Sequence, residues 1–140
     1  MFKTISKIAI AAALCVTIAP ASAAGLAGFV GTWTANNSAT HGIVKIIITL
    51  KDGKLFVRPF GACSPTPCDW GVQRAVAYAP GPSAPIATEA YAATASFPMP
   101  AGVHLLTLGH DRDYLSVFDY MMFTDNGRRS NYAAFQTFYR

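Results

Sequence analysis

Ile43-Val44-Lys45-Ile46-Ile47-Ile48-Thr49-Leu50-Lys51-Asp52-Gly53-Lys54-Leu55-Phe56-Val57-Arg58-Pro59-Phe60 reads as a β-hairpin. Ile43 to Leu50 is unbroken and β-branched, and such side chains fit a pleated strand better than a helix. Asp52-Gly53 supplies a two-residue turn, and Leu55 to Phe60 returns as the second strand. Pairing through that turn sets Leu50 opposite Leu55 and Ile48 opposite Val57, with Val44 and Ile46 on the same side, so that side is the core face. The other side carries Lys45, Ile47, Thr49, Phe56, Arg58 and Phe60. It is more apolar than a plain solvent face and suggests a subunit contact.

Strand and turn signals continue on both sides of the hairpin. Upstream, Val30 to Ala35 is a short strand ended by Asn36-Asn37-Ser38. Downstream, Val72 to Tyr78 is followed by Ala79-Pro80-Gly81-Pro82-Ser83-Ala84-Pro85, which can be neither helix nor central strand. Thr88 to Phe97 has helix-forming alanines, but Tyr91, Ala93, Ala95 and Phe97 alternate, which predicts a strand. Val103–Leu108, Leu115–Thr124 and Arg129–Tyr139 complete the set, with turns at Gly109–Asp113 and Asp125-Asn126-Gly127. Eight short strands without intervening helices predict an all-β fold, a small antiparallel up-and-down barrel of about eight strands. A two-sheet β-sandwich is the alternative.

The first 23 residues stand apart from this pattern. Lys3 and Lys7 precede an apolar run from Ile8 to Ile18, and Pro20 precedes Ala21-Ser22-Ala23, the layout of a secretory signal peptide cleaved near Ala23. The run is about half the roughly 20 residues a membrane span needs. Leu14 before Cys15 does not fit a lipoprotein signal. The expectation is a secreted or periplasmic chain with one domain, 24–140, and no membrane span. With Lys3 and Lys7 gone the net charge falls from +4 to +2. Only Lys51/Lys54 and Arg128-Arg129 then lie close together, too sparse a basic set for nucleic acid.

Two cysteines remain, in Gly61-Ala62-Cys63-Ser64-Pro65-Thr66-Pro67-Cys68-Asp69-Trp70-Gly71. In an exported chain an isolated pair held in a proline turn reads as a disulfide, Cys63 to Cys68. A redox pair would be tighter and sit at a helix start, and a zinc site would need two more ligands than the scattered histidines provide. No metal and no cofactor are expected.

Gly31-Thr32-Trp33 is similar to the Gly-x-Trp opening of lipocalins and the Gly-Thr-Trp opening of avidins. The resemblance implies an eight-stranded barrel closed at one end by Trp33. In lipocalins this tryptophan packs on an arginine from near the barrel's end, a role open to Arg128, Arg129 or Arg140. Ala35, followed by Asn36, Asn37 and Ser38, stands where avidins carry a biotin-contacting asparagine, so the resemblance does not extend to biotin. More of the chain, from Trp33 through Gly61–Gly71 to Asp125–Arg129 and Phe138-Tyr139-Arg140, resembles a family of small secreted bacterial proteins. That likeness implies export and a single domain, and brings no catalytic residues with it.

Pairing the last hairpin through Asn126-Gly127 sets Phe118 opposite Phe135, Tyr120 opposite Ala133, Met122 opposite Asn131 and Tyr114 opposite Tyr139. The opposite face sets Leu115 with Phe138, Met121 with Tyr132 and Asp119 with Ala134, which brings Asp119 diagonally near Tyr132. Both faces are mixed, so the pattern does not say which points inward. If the first does, the barrel mouth becomes a small-ligand cavity with apolar walls and a few polar contacts. The expected function is a non-enzymatic binding protein for a small apolar or amphipathic molecule, lined by Trp33, Tyr114, Tyr120, Asn131 and Tyr139. The alternative is a protein that works from its outer surface, as an inhibitor or assembly subunit, with Asp69, Trp70 and the cysteine loop at the contact; a homo-oligomer would instead use the outer face of the first hairpin. His41 and His104 stand isolated, His110-Asp111-Arg112-Asp113 falls on a turn, and no nucleophile with a base in register is identifiable.

Overall fold

The computed structural model of the chain describes residues 25–140; the leader expected over 1–23 lies outside them. In chain order the elements are α1 (Leu26–Phe29), β1 (Gly31–Ala35), β2 (Ile43–Lys51), β3 (Lys54–Gly61), β4 (Cys68–Asp69), β5 (Gln73–Arg74), β6 (Val76–Tyr78), α2 (Ile86–Glu89), β7 (Ala92–Met99), β8 (Gly102–His110), β9 (Tyr114–Phe123) and β10 (Tyr132–Tyr139). They form a single antiparallel sheet in the order β4-β3-β2-β1-β10-β9-β8-β7-β6, with β5 also on β3.

Gln73 to Tyr78 brings the two ends of that sheet together. Its first half pairs with β3, Phe56 to Arg74 and Val57 to Gln73. Its second half pairs with β7, from Val76 with Thr94 to Tyr78 with Ala92. Between them the buried Ala75 donates its N–H to the Leu55 carbonyl at 2.9 Å. With β5 and β6 taken as one bent strand and β4 as an appendage, the expected eight strands run round the barrel in chain order. The Ala-rich stretch that could have been helix divides: Ile86–Glu89 forms a single turn, and Ala92–Met99 is the strand, with Ala93, Ala95 and Phe97 inside.

The β2–β3 hairpin has the register its turn requires, Leu50 on Leu55 and Ile48 on Val57. Ile46, Ile48, Leu55 and Val57 are buried. Two residues depart from the expected core face. The register shifts between Ile43 and Lys45, so Ile43 goes inside in place of Val44. Leu50 is 41% exposed because the hairpin tip runs beyond the packed interior. Phe29, Trp33, Phe97 and Phe138 are the bulkiest fully buried side chains, each stabilising the fold by about 2–3 kcal/mol through burial.

β1 and β10 share only two pairs, Thr34 with Tyr139 and Ala35 with Phe138. Beyond them a side chain completes the seam. The Gln136 amide accepts the Ile43 N–H at 3.0 Å and donates to the Ile43 carbonyl at 3.1 Å and to Thr40 Oγ1 at 3.0 Å. It thereby supplies to β2 the two hydrogen bonds a neighbouring strand would make. Gly42 leaves the room, since a Cβ there would lie 2.7 Å from Gln136 Oε1.

Candidate functional site

The residues singled out in the sequence fall in three places, which differ in what they can do chemically. Trp33 belongs to a closed end. Its indole N–H donates to the Phe29 carbonyl at 2.8 Å, and of the three candidate arginines it is Arg140 whose guanidinium lies over the ring, 4.3 Å from the centroid. Arg140 also donates to the carbonyls of Val30 and Gly28, at 3.3 and 3.4 Å. His110 packs edge-on against Phe29 at 4.4 Å and approaches the Ala90 carbonyl at 3.2 Å. Trp33 is fully buried in this plug.

The opposite end holds the cysteine loop. Cys63 and Cys68 stand at disulfide distance, with Cα atoms 5.4 Å apart. Asp69 receives Arg58 on both carboxylate oxygens and the Gly71 N–H at 2.9 Å. The Arg58 hydrogen bond, helped by that N–H, holds its pKa down to about 2. Trp70 turns inward from this loop. Its backbone N–H donates to the Pro59 carbonyl, and its ring lies 4.4 Å from His104 and 6.1 Å from Phe97. Gly61 admits the indole, for a Cβ there would lie 2.8 Å from Trp70 Nε1. Trp70 is thus half-buried as a cover over the mouth.

Beneath that cover lies a pair that the sequence left unconnected. His104 is not isolated: its Nδ1–H donates to both carboxylate oxygens of Asp119, at 2.8 and 3.0 Å. Asp119 is the one buried charged side chain among the described residues. Pairing β8 with β9 sets Leu106 opposite Asp119 and His104 opposite Met121, so the two lie on a diagonal. Reading the register of the turn at Gly109–Asp113 would have found them. Tyr132 lies near, and burial together with the Asp119 charge raises its pKa above the ordinary value of 10.0.

The remaining candidates are outside. The β9–β10 register is the one the Asn126-Gly127 pairing requires, Phe118 on Phe135, Tyr120 on Ala133 and Tyr114 on Tyr139. The ladder ends at Met121 and Tyr132, and Asn131 Oδ1 instead accepts the Phe123 N–H at 2.9 Å. Leu115, Val117, Asp119, Met121 and Phe138 are the buried side. An eight-stranded barrel holds little beyond its own side chains, and Phe29, Trp33 and Phe97 already occupy this one, so the slimmer face goes in. Tyr114, Tyr120, Asn131 and Tyr139 therefore share no lumen with Trp33. They border a stripe with Leu105, Phe118, Met122 and Phe135, all exposed. Phe118 packs on Phe135 at 4.8 Å and on Tyr120 at 6.1 Å. Beside this ridge lies a surface hollow of about 520 Å³, whose lining includes Val103, Leu105, Tyr120, Met122, Asn131 and the small Ala133.

The first hairpin's outer face is covered differently. Lys45 lies 4.2 Å and Arg58 5.4 Å from the Phe60 ring, so cationic side chains shield the apolar surface expected there to be a contact. Among the described residues no group of three or more His, Cys, Asp and Glu could hold a metal, and no helix is long and apolar enough to cross a membrane. No protein-family model matches the chain, and neither a curated protein nor a solved structure is detectably similar to it.

Proposed function

We propose that the chain is an exported, non-enzymatic interaction module that works from the outer face of β8, β9 and β10, with the barrel interior serving as its structural core. The observation that carries this reading is the exposed stripe of Leu105, Phe118, Tyr120, Met122 and Phe135, next to an interior already filled by Phe29, Trp33, Phe97 and Phe138. Apolar patches of this size are at the upper end of what soluble monomers expose and are often functional. Export is supported by the leader pattern and by cysteines at disulfide distance, a pairing that persists in oxidising compartments. The lipocalin and avidin likeness contributes the barrel layout to this proposal, and the ligand position is moved from lumen to wall.

An apolar fluorescent probe, anilinonaphthalene sulfonate, tests where contact occurs. Its fluorescence should rise with the wild-type protein diluted until the face is free, and Ala133→Arg, which fills the hollow, should remove most of the rise while leaving the circular dichroism spectrum intact. A rise indifferent to Ala133→Arg would return binding to the mouth beneath Trp70 and overturn the proposal.

A further inference from the structure

Resting on that reading, we infer that the occupant of the β8–β10 face is a second copy of this chain, docked face to face about a two-fold axis between the Phe118–Phe135 pair and the hollow over Ala133. Three observations carry it. The first is charge. By alternation from the buried set, β8 turns every second residue from Val103 to Gly109 outward, β9 every second from Tyr114 to Met122 and β10 every second from Ala133 to Tyr139. None is ionisable near neutral pH. A two-fold interface brings each patch against itself, so any charge near the axis would meet its like; this face has none to repel. The face of β2 and β3, by contrast, carries Lys45, Lys51 and Lys54 besides the Arg58–Asp69 pair, and a two-fold axis there would set these cations against their own copies.

The second observation is area. Leu105, Tyr114, Phe118, Tyr120, Met122, Phe135 and Tyr139 are between 37% and 55% exposed. With side chains of about 200 Å² each, the patch presents about 600 Å². Two copies would bury about 1,200 Å², the lower edge of specific interfaces. The third is shape. The Phe118–Phe135 ridge stands beside the hollow over Ala133 on the same face. A two-fold rotation seats the ridge of one copy in the hollow of the other, twice.

Sedimentation equilibrium of the exported protein tests the inference. Wild type should show a monomer–dimer equilibrium with a Kd in the micromolar range or tighter. Phe135→Lys should weaken it at least about 100-fold by placing like charges at the axis and removing an aromatic anchor. Because Phe135 is exposed, the melting curve should be unchanged at low concentration; Leu105→Lys, at the patch margin, gives the same readout if the first variant does not fold. Mixing Phe135→Lys with Phe135→Glu copies should restore a dimer. A wild-type chain that stays monomeric to about 100 µM, well above such a Kd, would overturn self-association. If it still bound the apolar probe at Ala133, the outer face would survive as a contact surface for another partner. A dimer indifferent to both lysine variants would overturn the placement on β8–β10.

Discussion

The hairpins β2–β3 and β9–β10 are both regular antiparallel ladders, the first closed by the two-residue Asp52-Gly53 turn and the second by the longer connection 124–131, yet they divide their side chains in opposite ways. In β2–β3 the aliphatics Ile46, Ile48, Leu55 and Val57 go inside and Lys45 and Arg58 go outside. In β9–β10 a carboxylate, Asp119, goes inside, while Phe118, Tyr120 and Phe135 stay in solvent. Burying a charge costs free energy unless it is paired, and His104 supplies the pairing. Exposed aromatics forgo their burial unless something covers them. The second hairpin therefore departs from the usual rule on both faces, which is what the proposed contact on its outer face would require.

The sharpest way to break this comparison is to truncate one aromatic on each face of β10. Phe138→Ala should cost about 3–5 kcal/mol by leaving a cavity among fully packed neighbours. Phe135→Ala, at an exposed position, should cost under about 1 kcal/mol in the dissociated monomer. Urea denaturation of dilute protein measures both, and equal losses would mean that the outer aromatics belong to the core.

Next in size is the buried pair. Asp119→Leu should destabilise by about 3 kcal/mol, because His104 loses its carboxylate beneath Trp70. Adding His104→Leu should recover much of that loss, since two apolar residues leave nothing unpaired. Failure to recover would show that the pair contributes more than mutual satisfaction. Gln136→Ala should cost about 1–3 kcal/mol by stripping the Ile43 N–H and carbonyl of their partners at the seam. Hydrogen exchange at Ile43 should accelerate with it.

The smallest effect lies at the cysteine loop. The folded pKa of Asp69, about 2, is below its ordinary 3.8, so ionisation favours the folded loop above that ordinary value. The advantage is lost as pH falls through about 2. The pair is exposed and screened by solvent, so the change should be confined to the loop. Trp70 fluorescence should respond over this acid range in wild type and lose that response in Asp69→Asn.

Much of this fold was legible because turns fix registers. Asp52-Gly53 sets the β2–β3 ladder down to Ile48 on Val57; counting back from Asn126-Gly127 gives Phe118 on Phe135, though the strands part at Met121 and Tyr132, short of a tight turn there. What escaped were events that periodicity does not encode. The shift at Ile43 exchanges one buried residue for its neighbour, and the break at Ala75 lets one strand serve two partners. The inward face of β9 was undecided because alternation counts hydrophobicity, whereas the barrel selects on volume. The His104–Asp119 pair needed the β8–β9 register, in which it is a diagonal and not a direct neighbour.

Whether the outer face of β8–β10 is where this molecule meets its own copy can be read residue by residue from amide NMR spectra recorded through a dilution series. Shift changes should be confined to the outward residues of those three strands, centred on Phe118, Ala133 and Phe135, and should vanish in Phe135→Lys. Changes centred on Trp70 and His104, or spectra that do not move with concentration, would contradict it.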